Sequence, residues 1–386
     1  MIVRRRFLGS VLAMNLLALS FIAACDDRKN SSLVKVSDVA HTPVKRQSIG
    51  NCWLYATSTW AESLHLSATN TVVNLSESYW TYWDWYYKLV SSNRSKINTG
   101  GGWKLASTII AKHGYMLENE FIAEEADNEM SRRQYEAEEA INLALTEGAL
   151  KDPDSRTPEN VMNALDKAFG VKMSETRAKA HSASDLVTGS NNNNGSKRVL
   201  ADEIAGGRHQ WRVLDYPQLF GTNPRETFLI RRQRAKVLDR VLRAVNDKKP
   251  VIMSTMIEFS ALNTESNATF DYDLYINRGY SSGQGGHLVV LEDYVVDNVP
   301  GVGSIGEGDV SPELKDAALR GDVRYLVTKN SWGTDREERG LSDGYTRFTM
   351  KYLNNPLPFG LDDDESDISR ASWFSALSDF IVPPEY

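Results

Sequence analysis

Gln47-Ser48-Ile49-Gly50-Asn51-Cys52-Trp53-Leu54-Tyr55-Ala56 is the stretch on which the reading of this chain turns. Gly50 and Asn51 are turn and N-cap signals, and Leu54, Thr57, Ala61 and Leu64 follow at helical spacing, so Cys52 falls on the first turn of a helix. A thiol there faces unpaired amides and the positive end of the helix dipole, which favour the thiolate. A lone cysteine is more often a small buried hydrophobe than a nucleophile, so the rest of the chain has to decide.

The chain holds 386 residues and two cysteines. The other, Cys25, closes Phe21-Ile22-Ala23-Ala24-Cys25, after Arg4-Arg5-Arg6 and an apolar run from Phe7 to Ala24. This resembles a bacterial lipobox, which implies a lipoprotein signal peptide over 1–24, lipidation at Cys25 and a polar linker over 25–40. An ordinary cleaved signal peptide or an uncleaved anchor are the alternatives, and all three place the folded part outside the cytoplasm. Asp26 after the lipidated Cys implies retention on the inner membrane, facing the periplasm. Loss of 1–25 removes three Arg and takes the net charge from −7 to −10, so the membrane is held by acyl chains rather than by anionic headgroups.

With Cys25 acylated, Cys52 is the only free thiol, and a disulfide framework is excluded. So is a Cys-rich zinc site, and the six His show no His-x-x-x-His spacing, so no metal and no cofactor is expected. The acidic balance, without a basic stretch beyond the first six residues, argues against nucleic acid as a partner.

A second helix begins at Ser76, with Tyr79, Trp80, Trp83, Tyr86, Tyr87 and Val90 as a buried aromatic face. A third follows Gly100-Gly101-Gly102-Trp103, buries Leu105, Ile109 and Ile110, and stops at Gly114. From about 123 to 230 the composition reads as inserted helices, one of them capped by Thr157-Pro158 and ended by Gly170. Ser190–Ser196 reads as a surface loop. One more helix carries Val237, Val241 and Val245; strand-like runs then start at Val251, His287, Arg324 and Tyr345. His65 and His113 read as surface or satisfied histidines, and Glu62 and Asp84 as solvated or structural carboxylates.

Three distant segments then carry complementary chemistry, in the order Cys, His, Asn: Cys52 at a helix start, His287 after Gly285-Gly286, and Asn330 in Asn330-Ser331-Trp332-Gly333. This resembles the papain-like cysteine peptidases, over about 40–125 and 235–355. Gly100-Gly101-Gly102-Trp103 brings it closest to the bleomycin hydrolase/aminopeptidase C branch. The resemblance implies an α+β fold of two lobes over 41–386, a helical lobe bearing Cys52 and an antiparallel, barrel-like lobe bearing His287 and Asn330, with the helical insertion between. It implies Cys52, His287 and Asn330 as the catalytic residues of a peptide-bond hydrolase and Gln47 as oxyanion donor. Trp332 shields the His–Asn bond, and Gly100 and Gly101 bind an extended peptide or protein substrate.

Two departures accompany it. Gln47 lies five residues before Cys52 where the family usually has six, and the Cys52-to-His287 separation of 235 exceeds the usual 130–150 by roughly 90, a surplus that matches the 123–230 region. A catalytically silent module that binds a partner in its cleft, and an acyl or amide transferase on the same triad, are the competing functions.

Overall fold

The computed structural model describes residues 39–190, 195–218, 224–279, 283–308, 311–359 and 372–386. The signal segment, Cys25, Asp26 and most of the linker lie outside the described residues, as do 191–194 of the Asn-rich loop.

Helix α1 (Cys52–Thr69) starts at Cys52, as the sequence predicts. Asn51 stands at the N-cap position, but its side chain makes no capping bond. Its Nδ2 donates instead to Thr81 Oγ1 at 3.0 Å and Gln134 Oε1 at 2.8 Å, so the side chain pins the turn to neighbouring helices. Helix α2 (Glu77–Val90) is capped by Ser76, whose Oγ accepts from the Tyr79 amide at 3.2 Å. The expected aromatic face is only part of what α2 buries. Tyr82 and Trp85 are buried as well, while Val90 is 38 % exposed. Tyr82 and Trp85 meet Phe169 of a later helix, at ring-centroid distances of 5.7 and 5.5 Å, so α2 is covered on two sides and its apolar stripe widens accordingly. Helix α3 (Trp103–His113) buries Trp103, Ala106, Ile109 and Ile110 and stops at Gly114.

The 118–246 region holds α4 (Glu118–Phe121), α5 (Arg132–Thr146), α6 (Pro158–Phe169), α7 (Met173–Thr176), α8 (Leu200–Ala205) and α9 (Pro224–Asn246). Thr157 caps α6 and Gly170 ends it in the left-handed conformation, both as read from sequence. The region is not helical throughout, however: β1 (Val187–Ser190) and β2 (Lys197–Val199) form a hairpin, and β3 (Arg212–Asp215) joins the main sheet. Alternation over so few residues is too short to show against a charged, helix-like composition.

The remaining strands are β4 (Val251–Glu258), β5 (Leu262–Asn263), β6 (Thr269–Phe270), β7 (Gln284–Val299), β8 (Gly303–Ile305), β9 (Asp322–Lys329), β10 (Tyr345–Thr349), β11 (Pro356–Phe359), β12 (Ser372–Ser375) and β13 (Leu377–Val382). Nine strands make one sheet in the order β3-β13-β4-β7-β9-β10-β6-β5, with β8 paired to β7. Every pair is antiparallel except β10 with β6.

The period-two alternation of β4 and β7 divides the core. Ile252 and Val290 pack with the α1–α3 cluster, while Val251, Met253, Val289 and Leu291 pack with Val237, Val241 and Val245 of α9. Each such side chain contributes about 1.5–3 kcal/mol when fully buried. The result is the two-lobed α+β arrangement, with Cys52 on the helical lobe and His287 and Asn330 on the sheet lobe.

A strap at residues 42–47 crosses between the lobes. Lys45 Nζ donates to Glu62 and Glu77 of the helical lobe at 2.8 and 2.7 Å. Lys329 Nζ of β9 donates to the Thr42 carbonyl at 2.7 Å, and the Gln47 amide to the Ser331 carbonyl at 2.9 Å. Buried charges held this way are costly to break, about 3–5 kcal/mol for loss of one partner. Among the described residues no helix is long and apolar enough to cross a membrane.

Candidate active site

Helix α1 brings the Cys52 thiol against β7. Its Sγ lies 3.9 Å from the Gly286 carbonyl oxygen, and it also accepts from the Leu288 amide, so it touches the backbone on both sides of His287. Cys52 is only 7 % exposed and His287 5 %. Burial pushes the thiol up to about 11, against the opposing pull of the amides of Leu288, Trp53 and Cys52 itself. The helix start by itself therefore does not yield the thiolate that the sequence suggested, because desolvation outweighs the amides.

His287 Nε2 and Asn330 Oδ1 are 2.8 Å apart. The orientation of Asn330 is fixed by two further bonds: Oδ1 accepts from the Ser331 amide at 2.7 Å, and Nδ2 donates to Thr346 Oγ1 at 3.3 Å. An amide oxygen can only accept, so Nε2 carries the ring proton and a neutral imidazole presents Nδ1 as a bare acceptor. Burial takes His287 down to about 4, the bond to Asn330 opposes this, and the charge of Arg339 adds to the fall. Burial thus opposes charge on the thiol and on the imidazole alike, and a charge-separated pair requires the proton to pass from sulfur to ring.

Trp332 lies over that dyad, its ring centroid 5.1 Å from His287 and 30° from coplanar. The guanidinium of Arg339 sits over the same indole at 4.5 Å and over Phe259 at 4.9 Å. The chain turns sharply at Gly333, where φ is 89° and a Cβ would overlap the carboxylate of Glu129, so the Asn330–Gly333 run needs glycine at its end.

Gln47 stands beside this segment. Its Oε1 accepts from Ser331 Oγ at 2.6 Å, and Nε2 donates to the Ile49 carbonyl at 2.8 Å. These bonds orient the amide and use one of its two N–H groups.

Gly100 and Gly101 are exposed on the loop before α3. The Gly100 carbonyl accepts from Lys88 Nζ at 2.6 Å, and a Cβ on Gly101 would overlap the indole of Trp53, next to Cys52. Gly101 also lines a cavity of about 620 Å³ shared by α3 and the sheet.

The other singled-out residues lie elsewhere. His65 Nδ1 meets the Val187 carbonyl at 2.8 Å; His113 stacks on Trp83 at 3.7 Å with Nε2 2.6 Å from Tyr87 Oη. Glu62 takes Lys45, Thr42 and the Leu75 amide, and Asp84 takes Lys88, both as buried structural carboxylates. Among the described residues no cluster of three His, Cys, Asp or Glu could hold a metal ion. Arg339, Thr346 and the Leu288 amide had no signal in the sequence beyond proximity to the motifs. Only pairing in space assigns them to the site.

No protein-family model matches the chain, and no curated protein does. Solved structures similar to it include a cysteine protease of Carica candamarcensis crystallised with E-64, 14 % identical, covering 89 % of this chain and 92 % of that one at a TM-score of 0.31. Xylellain, a cysteine protease from Xylella fastidiosa, is 11 % identical over 90 % and 84 % at 0.36. The ragweed pollen allergen Amb a 11, a cysteine protease in its proform, is 14 % identical over 92 % and 68 % at 0.31. Identities and scores are both low, and the chemistry that follows is taken from this chain's own residues.

Proposed function

We propose that this protein is a papain-like cysteine peptidase acting through Cys52, His287 and Asn330. The observation that carries the reading is the fixed tautomer of His287: with Nε2–H committed to Asn330 Oδ1, Nδ1 is the acceptor on a residue whose two flanking peptide groups touch Cys52 Sγ. The thiol proton passes to Nδ1 as Sγ bonds to the substrate carbonyl carbon, and the imidazolium then protonates the departing amine to leave a thioester. Water, losing its proton to the imidazole, attacks the thioester and restores the thiol. The Cys52 amide and the second N–H of Gln47 stabilise the oxyanion, about 3–4 kcal/mol for each donor. Trp332 keeps water from the His287–Asn330 bond.

The near-complete burial of Cys52 and His287 favours a second reading, a silent module that binds a partner. Labelling separates the two. In the purified full chain, a peptidyl epoxide is expected to alkylate Cys52 stoichiometrically and to fail in Cys52→Ala and His287→Ala. A folded protein that takes no label at Cys52 would sink the peptidase reading.

The lipobox supports anchoring of this peptidase through acylated Cys25 at the periplasmic face of the membrane, with Asp26 favouring the inner one. Gly100-Gly101-Gly102-Trp103 supports placement in the bleomycin hydrolase branch.

A further inference from the structure

Helix α9 buries one face and leaves the other in water over its first half. Val237, Val241, Leu242 and Val245 pack into the core of the sheet lobe. Arg234 is buried on the same side, donating to the Pro217 carbonyl at 2.8 Å and to Ser375 Oγ at 2.6 Å. Positions 225, 228, 229, 232 and 236 fall on the opposite side at helical spacing, along about 16 Å of axis. They carry Arg225, Phe228, Leu229, Arg232 and Lys236, all exposed. Phe228 is 64 % exposed, the most of any large apolar side chain among the described residues, and Leu229 beside it is 47 % exposed.

The charges on this face are unspent. Arg232 and Lys236, with Arg231 on the flank, make no ion pair among the described residues. Further along the helix the basic groups are used: Arg240 donates to Tyr386, and Arg243 pairs with Asp239 at 3.0 Å. Glu226 is the only acid in the sequence 225–236, and it lies towards the buried side of the stripe. The negative charge of the whole chain, which argues against attraction to headgroups, therefore does not describe this face.

A cationic helix face with an aromatic and an aliphatic tip suits the headgroup plane of a bilayer, where the apolar pair enters the acyl boundary and the basic groups stay with the phosphates. An acidic protein surface would meet the charges but leave Phe228 and Leu229 without an apolar partner. The lipid anchor supplies the bilayer. Residues 26–38, between Cys25 and the first described residue, extend to about 50 Å at most, so a weak contact between helix and lipid becomes an intramolecular one.

We propose that the 225–236 face of α9 docks on an anionic phospholipid surface, with Phe228 and Leu229 entering it and Arg231, Arg232 and Lys236 meeting phosphates. An acyl tether alone leaves the folded part free to turn, and this second contact fixes which way the cleft faces. The proposal rests on the anchoring reading and is independent of the peptidase one.

A protein without the acyl chain isolates the contact. The form that starts at residue 26 keeps every described residue, and it is sedimented with vesicles of equal parts phosphatidylglycerol and phosphatidylcholine and with vesicles of phosphatidylcholine alone. Each basic side chain at the surface contributes about fivefold, so the three together favour the mixed vesicles about 100-fold, and added salt releases the protein. Arg232→Glu with Lys236→Glu abolishes the binding, and Phe228→Ala with Leu229→Ala weakens it about tenfold, with circular dichroism unchanged because all four positions are exposed. In a Cys52→Ala background, bimane on Leu229→Cys shifts to the blue with mixed vesicles, whereas bimane on Leu143→Cys, exposed on α5, does not. Equal binding to both vesicles, or a preference that survives the charge reversals, overturns the proposal. Binding that needs the charges but not Phe228 and Leu229, without a blue shift, marks a site for an acidic protein and overturns it as well. If the charge-reversed protein fails to fold, the bimane shift decides. Palmitate labelling of the full chain at Cys25 is scored apart: absence of label ends the anchoring reading and leaves a positive vesicle result standing, and label without vesicle binding does the reverse.

Discussion

Replacing Arg339 by Gln removes the guanidinium stacked on the indole that covers His287. The steps of 4.5 Å from guanidinium to indole and 5.1 Å from indole to imidazole put the charge about 10 Å or less from the ring. At an effective dielectric of about 20 this repulsion of an imidazolium is worth about 1.7 kcal/mol, and the partial exposure of Arg339 reduces it to about 1 kcal/mol. The sign follows from the charge: without Arg339 the site holds its second proton more readily. The acid limb of the pH–rate profile moves up by about 0.7 of a pH unit, and reactivity at a fixed pH on that limb falls about fivefold. The assay is the alkylation rate of Cys52 by iodoacetamide across pH, which needs no substrate. The midpoint belongs to the Cys52–His287 pair rather than to either group. Arg339→Lys, which keeps the charge, leaves the midpoint near its original place. A downward or absent shift in Arg339→Gln, or equal behaviour of the two variants, would refute the reasoning.

Asn330→Ala removes the acceptor that fixes the His287 tautomer, and the peptidase rate constant kcat is expected to drop about 100-fold in a protein whose circular dichroism is unchanged. An intact kcat would show that Asn330 only packs. Gly101→Ala forces a methyl into the Trp53 indole and should cost about 1–3 kcal/mol, read as a lower melting temperature; an unchanged Tm would mean that the loop yields freely. Glu118 and Glu292 are raised to about 8 in the fold, first by burial, so the native state holds protons there that the unfolded chain has lost. Stability should therefore fall as pH rises from about 6.5 to 8. Below that window the depressed His113 and His287 work in the opposite direction. Urea midpoints at pH 6.5 and 8 test this, and a fall that Glu118→Gln with Glu292→Gln does not flatten would count against the assignment.

The sequence disclosed what is local. Cys52 at a helix start, the Ser76 and Thr157 caps and the Gly114 and Gly170 stops depend on a few neighbouring residues, and each was found where predicted. Asn51 takes the N-cap position as expected but spends its side chain elsewhere, because a cap and a tertiary clasp use the same group and only the positions of Thr81 and Gln134 choose between them. The extent of the α2 core was underestimated for a similar reason, since Phe169 lies more than 80 residues away from the rings it covers. At the site, residue types indicated which groups could react, but not their charge. The push of both Cys52 and His287 toward their uncharged forms comes from burial, which a one-dimensional reading does not contain. The place of β13 was invisible because nothing in Leu377–Val382 signals that this strand lies two places from the one bearing His287.

The insertion of β13 between β3 and β4 sets an order in time. Its partners lie about 125 to 170 residues earlier in the chain, so among the described strands β3 has no neighbour to hold it until β13 has been made. A ribosome that has produced the thiol, the imidazole and their asparagine has still not produced the strand that ties β3 to the sheet. During synthesis the candidate catalytic groups therefore exist before the sheet beside them is complete, and β13 is the segment that joins the outer strand to the rest.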